Sequence, residues 1–222
     1  MDVRRLLPLS GIVFVVLVVV PVVALGGDHP ESDGTAAEVV DAYSDDVVRQ
    51  GLAAFLLAAS APFVVFFASA LAARLGLDEG HQHRPIWERV VLAGSAITAA
   101  TAVIAALIHF ALADGADQEV SPTALQALNV LDNNVWLPFN SGLGVLMLGA
   151  AGLLLTETVL PRWLGWLALV LGVALFIPFA DFIALIIALL WIIVTSVMLY
   201  LGSNASGSDA RARSQAGPGG SA

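Results

Sequence analysis

The chain has 222 residues, of which 59% are hydrophobic and 12% charged, and its formal net charge is −9. This composition is far more apolar than that of soluble domains, and an acidic balance without a basic stripe excludes nucleic acid as a partner. Cysteine is absent, which excludes disulfides, thiolate metal sites and cysteine nucleophiles.

Apolar stretches long enough to cross a bilayer recur along the chain. A transmembrane helix needs about 20 mostly apolar residues. The six predicted spans cover residues 6–25, 51–75, 90–113, 135–156, 164–180 and 182–201. We therefore predict an all-α, polytopic membrane protein, a six-transmembrane-helix bundle. Its expected partner is the lipid bilayer. The tail, residues 202–222, is rich in Gly, Ser and Ala, and we expect it to be disordered.

The first span has an alternative interpretation as a cleaved signal peptide. Arg4 and Arg5 would form its basic region, and the small residues Ala24 and Gly26 would fit a cleavage site. The apolar stretch of about 20 residues is longer than that of a signal peptide, which favours an uncleaved span.

The distribution of arginine, which supplies every positive charge, predicts the orientation. With six spans both termini lie on the same side, and eight of the nine arginines fall there, Arg49 being the exception. Twelve of the 18 acidic residues fall on the other side. Basic residues near span ends stay in the cytoplasm. We therefore expect a multi-pass protein of the plasma membrane with both termini cytoplasmic.

The loop between the first two spans carries a helix-start signal. Thr35 and Glu38 form a capping-box pattern, in which each side chain bonds the other residue's backbone amide. Val40, Tyr43 and Val47 then recur on one helical face. We predict a short extracytoplasmic amphipathic helix between spans one and two. It is either a lead-in packed on the bundle or a lid that binds a partner.

His109, near the outer end of span three, is a candidate site residue. It shares a face with Thr98, Ala102 and Ala105, and such small residues indicate a side that packs into the bundle. An ionisable group there is a functional-site hypothesis, with Asp132 or Asp181 as its partner. The alternative is that His109 meets headgroups or water at the interface.

Span four begins with polar residues that form a second candidate. Asn134 and Asn140 lie on either side of Pro138, and such interruptions can mark substrate sites in transporters. With His109 and Asp181, these two residues make up a candidate substrate or ion path. The alternatives are a helix cap at Asn134 and an interhelical hydrogen bond from Asn140.

Small residues form stripes on two of the predicted spans. They are Gly142, Gly149 and Gly152 in span four, and Gly165, Ala168 and Gly172 in span five. Small residues let helices approach closely in membranes, so we interpret both stripes as helix-packing faces.

Motifs that carry chemistry are missing from the sequence. We find no nucleophile elbow, P-loop, zincin motif or paired-carboxylate helix. The groups around His81 and His83, and around Asp28 and His29, lack the spacing of zinc or calcium sites. We therefore assign no catalytic residue, no metal and no cofactor.

Two segments resemble parts of a known group of proteins. The segment 160–172, LPRWLGWLALVLG, and the segment 35–43, TAAEVVDAY, are similar to small, largely actinobacterial, six-span membrane proteins of unknown function. The resemblance implies the architecture and a bacterial plasma-membrane location. It carries no activity and no functional residues.

Three functions remain open from the sequence. The first is a non-enzymatic structural or regulatory membrane component that acts through contacts with a membrane protein partner or as a homo-oligomer. The alternative is a small transporter or channel subunit with a polar site near spans three and four. The third is an intramembrane enzyme, which needs a cluster of His and acidic residues that this chain barely has. A hydrated cavity at the candidate residues favours transport, and a close-packed bundle favours the first.

Overall fold

The computed structural model of the protein describes residues 6–25, 30–44, 46–75, 84–156 and 160–215. Helices form nearly all of this part of the chain, and no strand occurs within it. The predicted all-α class is therefore confirmed.

The helices are numbered here in chain order. They are α1 (Ser10–Val20), α2 (Ala36–Ser44), α3 (Val47–Leu75), α4 (Arg84–Asp117), α5 (Pro122–Asn134), α6 (Trp136–Thr156), α7 (Arg162–Ala174) and α8 (Asp181–Gln215). A 3-10 turn, Leu7–Leu9, precedes α1, and a π-helical turn, Pro21–Leu25, follows it.

Long apolar helices dominate the fold. In the described residues, five helical segments are long and apolar enough to cross a membrane: Leu7–Leu25, Val47–Arg74, Ile86–Asp117, Pro122–Thr156 and Asp181–Gly202. The chain thus has the architecture of a multi-pass membrane protein, as predicted.

The predicted fifth span, 164–180, differs from the structure. Its helix, α7, has 13 residues and is therefore about 20 Å long, whereas the hydrocarbon core is about 30 Å thick. The chain then makes successive turns as far as Ala180, and Phe179 has a φ of 70°. The helix ends at Ala174 because Pro178, four residues on, has no N–H to donate to the Ala174 carbonyl and its ring would clash with it.

The end of the chain also differs from the expectation of a disordered tail. Helix α8 continues beyond the predicted span end at Leu201 as far as Gln215. Extending an existing helix adds one hydrogen bond for each residue that is fixed, so a weak helix-forming sequence can continue a strong one. Residues 216–222 lie outside the described part of the chain.

The two glycine stripes lie at helix–helix contacts, as predicted. On α6, a Cβ added at Gly142 or Gly149 would lie 2.6 Å from the amide nitrogen of Thr98 or Val91 on α4. On α7, Gly165 packs against Leu155 and Gly172 against Leu148. Because the α7 residue number rises as the α6 number falls, α7 runs antiparallel to α6.

Two short helices, α2 and α5, pack together on one end of the bundle, and we call this pair the cap. A separate hydrophobic cluster joins the cap to the end of α4, and it contains Val39, Tyr43, Leu112, Ala116 and Leu125. Helix α5 was not predicted, although Ser121 and Pro122 give a helix-start signal. A single non-helical residue, Val135, separates α5 from α6.

Candidate functional site

The capping box at the start of α2 is formed as predicted. The Thr35 amide donates to Glu38 Oε2 over 2.7 Å, and the Glu38 amide donates to Thr35 Oγ1 over 3.3 Å. The backbone and side-chain hydrogen bonds from Thr35 lower the pKa of Glu38. The helix that begins here places Val39 and Tyr43 against the bundle, where both are buried. The sequence motif thus orients the face that carries the Tyr43 hydroxyl.

His109 points into the bundle, as the small residues on its face predicted. Thr98, Ala102 and Ala105 are buried, and His109 itself is only 8% exposed. Its two ring nitrogens meet side chains from different helices. Nε2 lies 2.8 Å from Gln50 Oε1 on α3, and Nδ1 lies 3.1 Å from Asp132 Oδ2 on α5.

Tyr43 completes this group, which we call the histidine cluster: Tyr43, Gln50, His109 and Asp132. The Tyr43 hydroxyl donates to Asp132 Oδ2 over 3.1 Å, and its ring meets the His109 ring edge to face with the centroids 5.6 Å apart. Burial, with the Asp132 carboxylate, raises the pKa of Tyr43 above its ordinary value of 10.0. Four helices, α2 to α5, therefore meet at one carboxylate and one imidazole.

The chemistry of the cluster allows two proton arrangements. An imidazolium donates from both ring nitrogens, to Asp132 and to the Gln50 carbonyl oxygen. A neutral ring keeps its proton on Nδ1, and the Gln50 amide then turns so that its N–H donates to Nε2. In both arrangements Asp132 accepts from His109 and Tyr43. The hydrogen bonds of the cluster can therefore be kept in either arrangement.

Side-chain amides from α5 hold the segment that precedes the capping box. Asn129 Nδ2 donates to the Glu31 carbonyl over 3.1 Å, and Asn133 Nδ2 donates to the Pro30 carbonyl over 3.0 Å. Each residue fixes a backbone group of the loop that precedes α2. The cap is thus a folded unit joined by polar as well as apolar contacts.

A cavity of about 180 Å³ adjoins the histidine cluster. Two polar residues, His109 and Asp132, line it, and the remaining walls are Pro21, Val22, Ala53, Ala54, Leu57, Ala105 and Val135. The walls are mostly apolar, and the polar groups that reach the cavity are already bonded to each other.

The other predicted site residues do not join the histidine cluster. Asn134 is exposed at the end of α5, and its Nδ2 donates to the Val130 carbonyl of the same helix over 2.7 Å. Asn140 and Asp181 meet instead at a second place, where Asn140 Nδ2 lies 3.5 Å from Asp181 Oδ2. The four candidate residues are therefore divided between two sites and an exposed helix end.

The second place is a cavity of about 260 Å³, which we call the aspartate pocket. Its lining residues are Trp136, Asn140, Asp181, Phe182 and Leu185. Asn140 is 1% exposed and Asp181 is 6% exposed. Among the described residues, the buried Oδ1 atom of Asn140 has no hydrogen-bond partner.

Buried hydroxyl groups of α4 are used within that helix. The Ser95 hydroxyl donates to the Leu92 carbonyl over 2.8 Å, and the Thr98 hydroxyl donates to the Gly94 carbonyl over 2.9 Å. Thr101 bonds the Ile97 carbonyl in the same way. Hydroxyl groups bonded to their own helix are poor binding groups for a solute.

Sequence reasoning did not select Gln50 or Tyr43 as site residues. The pattern predicted an apolar helical face that includes Tyr43 and gave no indication of a role for its hydroxyl. The available signal for Gln50 was its position one residue before a predicted span. A side-chain amide that is buried there needs a hydrogen-bond partner.

Within the described segments, no group of three or more His, Cys, Asp and Glu residues could hold a metal ion. His81, His83, Asp28 and His29 lie outside the described residues. The arrangement that the structure does show, a buried histidine and a half-buried aspartate with two further polar partners, suits structural bonding.

Comparison of the chain with protein-family models, with curated proteins and with solved structures finds no match in any of the three. The long apolar helices therefore define the class of the chain, a multi-pass membrane protein.

Proposed function

We propose that the protein is a non-enzymatic structural or regulatory component of the plasma membrane, whose bundle holds the cap outside the cytoplasm for contact with a membrane protein partner or a second copy. The observation that carries this proposal is the close contact of α4 and α6. Gly94 packs on the backbone of Leu146, and Gly142 packs on that of Thr98. Backbones this close leave no room for water between the two helices.

The same proposal includes six membrane crossings, with α7 and the turns after it as the fifth. Support comes from the ends of α7. Gly165, near its start, lies beside Leu155 at the end of α6, while Asp181, after the turns, lies beside Asn140 near the start of α6. The chain between them therefore returns along most of α6. The apolar turn residues Phe176 and Ile177 lengthen the return path.

Charge supports the proposed orientation. The described cap and the neighbouring helix ends carry many acidic residues, among them Glu31, Asp41, Asp114 and Glu119, and Arg49 is the basic residue there. Arginines concentrate on the other side, which is the cytoplasmic pattern.

Single cysteines test this topology directly, because the natural chain has none. Ser44→Cys on the cap and Phe179→Cys in the turns after α7 should react with an impermeant maleimide on intact cells. Gly202→Cys should react only after permeabilisation. Labelling of Phe179→Cys only after permeabilisation would show that α7 does not cross, and labelling of Gly202→Cys on intact cells would reverse the orientation.

Crosslinking tests the proposed role. A photoreactive amino acid at the exposed cap positions Ala37 and Thr123 should give adducts of defined mass in native membranes, whereas Val16 on the lipid-facing side of α1 is the matched control. Adducts at the cap positions alone would support contact through the cap. Equal yields at all three positions, or none at the cap, would remove the proposal.

A transporter or channel subunit is the second candidate, and the two cavities beside His109 and Asn140 favour it. Purified protein in dye-loaded liposomes decides between the two functions. We expect no proton or monovalent-cation flux above that of empty liposomes, and we expect Thr98→Cys to stay unreactive because Thr98 is fully buried. Flux that is lost in His109→Ala would establish transport instead.

A further inference from the structure

We propose that the aspartate pocket is a binding site for a primary ammonium group. The pocket lies where α6 and α8 begin, away from the histidine cluster, and the proposed function does not use it. The inference holds whether or not the bundle conducts ions. It rests on one unpartnered oxygen, one unpaired carboxylate and an aromatic wall.

The unpartnered oxygen is Asn140 Oδ1, which is buried and lines the cavity. The amide cannot improve its bonding by turning over, because its oxygen would then face the Asp181 carboxylate in place of Nδ2. A buried acceptor without a donor is rare in folded proteins. A ligand with an N–H group would supply the missing donor.

The carboxylate of Asp181 also favours a ligand with N–H groups, and in particular a cationic one. This carboxylate is buried, since Asp181 is 6% exposed. In the described part of the chain its hydrogen-bond partner is the Asn140 amide, at the long distance of 3.5 Å, and no basic side chain is paired with it there. A buried charge is costly unless a counter-charge is present. A cation in the pocket would supply that counter-charge.

The walls select an organic cation over a bare metal ion. Trp136 and Phe182 flank the cavity, and aromatic faces attract ammonium groups. Three side-chain oxygens, two from Asp181 and one from Asn140, are too few for calcium or magnesium, which take about six or more oxygen ligands. Trp136 is 42% exposed and Phe182 is 67% exposed, so the pocket opens on the side of the bundle.

A primary ammonium fits better than a quaternary one, because it has three N–H donors. Two of them reach Asp181 and Asn140 Oδ1, and the third can remain hydrated. A trimethylated ammonium has none, so it would leave the Asn140 oxygen unpartnered. The group can belong to a phosphatidylethanolamine headgroup or to a free amine, and the following experiment separates the two sources.

The lipid arm uses the full-length protein in nanodiscs that contain phosphatidylethanolamine and phosphatidylcholine with identical acyl chains. Native mass spectrometry should find phosphatidylethanolamine retained in preference, and Asp181→Asn should reduce that preference at least about tenfold, since a charge-assisted bond is lost. Asn134→Ala, an exposed asparagine bonded to its own helix, is the matched control and should keep it. Trp136→Leu should weaken it without disturbing the core, which covers the case that Asp181→Asn does not fold.

The free-amine arm uses ethanolamine and tetramethylammonium at equal ionic strength, titrated by calorimetry into protein in phosphatidylcholine nanodiscs. Binding of ethanolamine alone, lost in Asp181→Asn, identifies a soluble amine as the ligand. Preference for phosphatidylethanolamine without ethanolamine binding identifies the lipid. Equal binding of the methylated and unmethylated forms in both arms, or a preference that survives Asp181→Asn and Trp136→Leu, overturns the proposal.

Discussion

The histidine cluster and the aspartate pocket each contain a carboxylate near the start of α6, half-buried at Asp132 and buried at Asp181, and the two differ in their partners. Asp132 receives a tyrosine hydroxyl and an imidazole, each at 3.1 Å. Asp181 receives one amide at 3.5 Å, and that amide keeps an unpartnered oxygen. A carboxylate satisfied by its own protein holds helices together, whereas one left short of donors can bind something else. These contacts support a structural role for the first site, and the second is the site at which we propose binding.

The largest expected effect comes from removing the carboxylate of the first site. Asp132→Ala removes the acceptor that the buried His109 and Tyr43 side chains share, and this should cost about 3 kcal/mol for the two donors together. Unfolding in mixed micelles should show that loss, and proteolysis of the cap should become faster. Asn134→Ala, two residues on in the same helix, should leave both measurements unchanged. A loss below about 1 kcal/mol would mean that the cluster does not hold the cap.

Tyr43→Phe is a smaller change to the same cluster. Removing a hydrogen bond to a charged acceptor should cost about 1.5 kcal/mol, measured by the same unfolding assay. A cost equal to that of Asp132→Ala would show that Tyr43, and not His109, is the main partner of the carboxylate.

The raised pKa of Tyr43 also makes the cap sensitive to alkali. The folded protein holds the phenol proton more tightly than the unfolded chain does, so this contribution is complete below a pH of about 10 and is lost as the pH rises above it. In a Tyr200→Phe background, phenolate absorbance should appear only as the cap unfolds. Ionisation at the ordinary value of 10.0, with the cap still resistant to protease, would contradict the burial argument.

The capping box gives a test of the cap that does not touch the cluster. Thr35→Ala should cost about 1 kcal/mol of local helix stability and should increase protease access to the loop that precedes α2 without unfolding the bundle. Thr35→Ser keeps the acceptor and serves as the control. Unchanged proteolysis would mean that the packing of Val39 and Tyr43 holds α2 in place without the Thr35–Glu38 capping box.

The smallest effect is expected in the second site. Asn140→Leu removes a long bond and an unpartnered oxygen, so it should cost only about 0.6 kcal/mol, the average for hydrogen bonds in one membrane bundle. Unfolding in mixed micelles, compared directly with Asp132→Ala, measures the contrast between the sites. A cost as large as that of Asp132→Ala would show that the aspartate pocket is structural after all.

Local patterns in the sequence predicted most of the fold. Hydrophobic length located five of the long helices, the Thr35–Glu38 pattern located the start of α2, and small residues identified the faces at which α4, α6 and α7 meet. The end of α7 was not predicted, because the apolar residues continue as far as Ala180 and Pro178 was not taken as a helix end. Helix α5 was missed because its residues are too polar to be counted as a span.

The site could be predicted only in part, because its partners come from distant places in the chain. Local spacing showed that His109 points inward but could not choose between Asp132 and Asp181 as its acceptor. Gln50 and Asp132 are 59 and 23 residues from His109, and no local pattern connects them. His109 and Asn140 lie in two different sites because of the way the helices pack, and the sequence of any one helix does not determine that packing.

With α7 as the fifth crossing, as proposed above, its short length has a consequence for the surrounding lipid. On that flank the regular helical wall is about 20 Å tall, whereas the neighbouring segment Asp181–Gly202 has 22 residues and reaches about 33 Å. Lipids that touch both helices meet two different hydrophobic heights within one protein. Such a mismatch is relieved by local thinning of the bilayer or by recruitment of shorter acyl chains. The protein would then be surrounded by an uneven annulus of lipid, thinnest beside α7, which favours membranes or membrane regions of lower thickness.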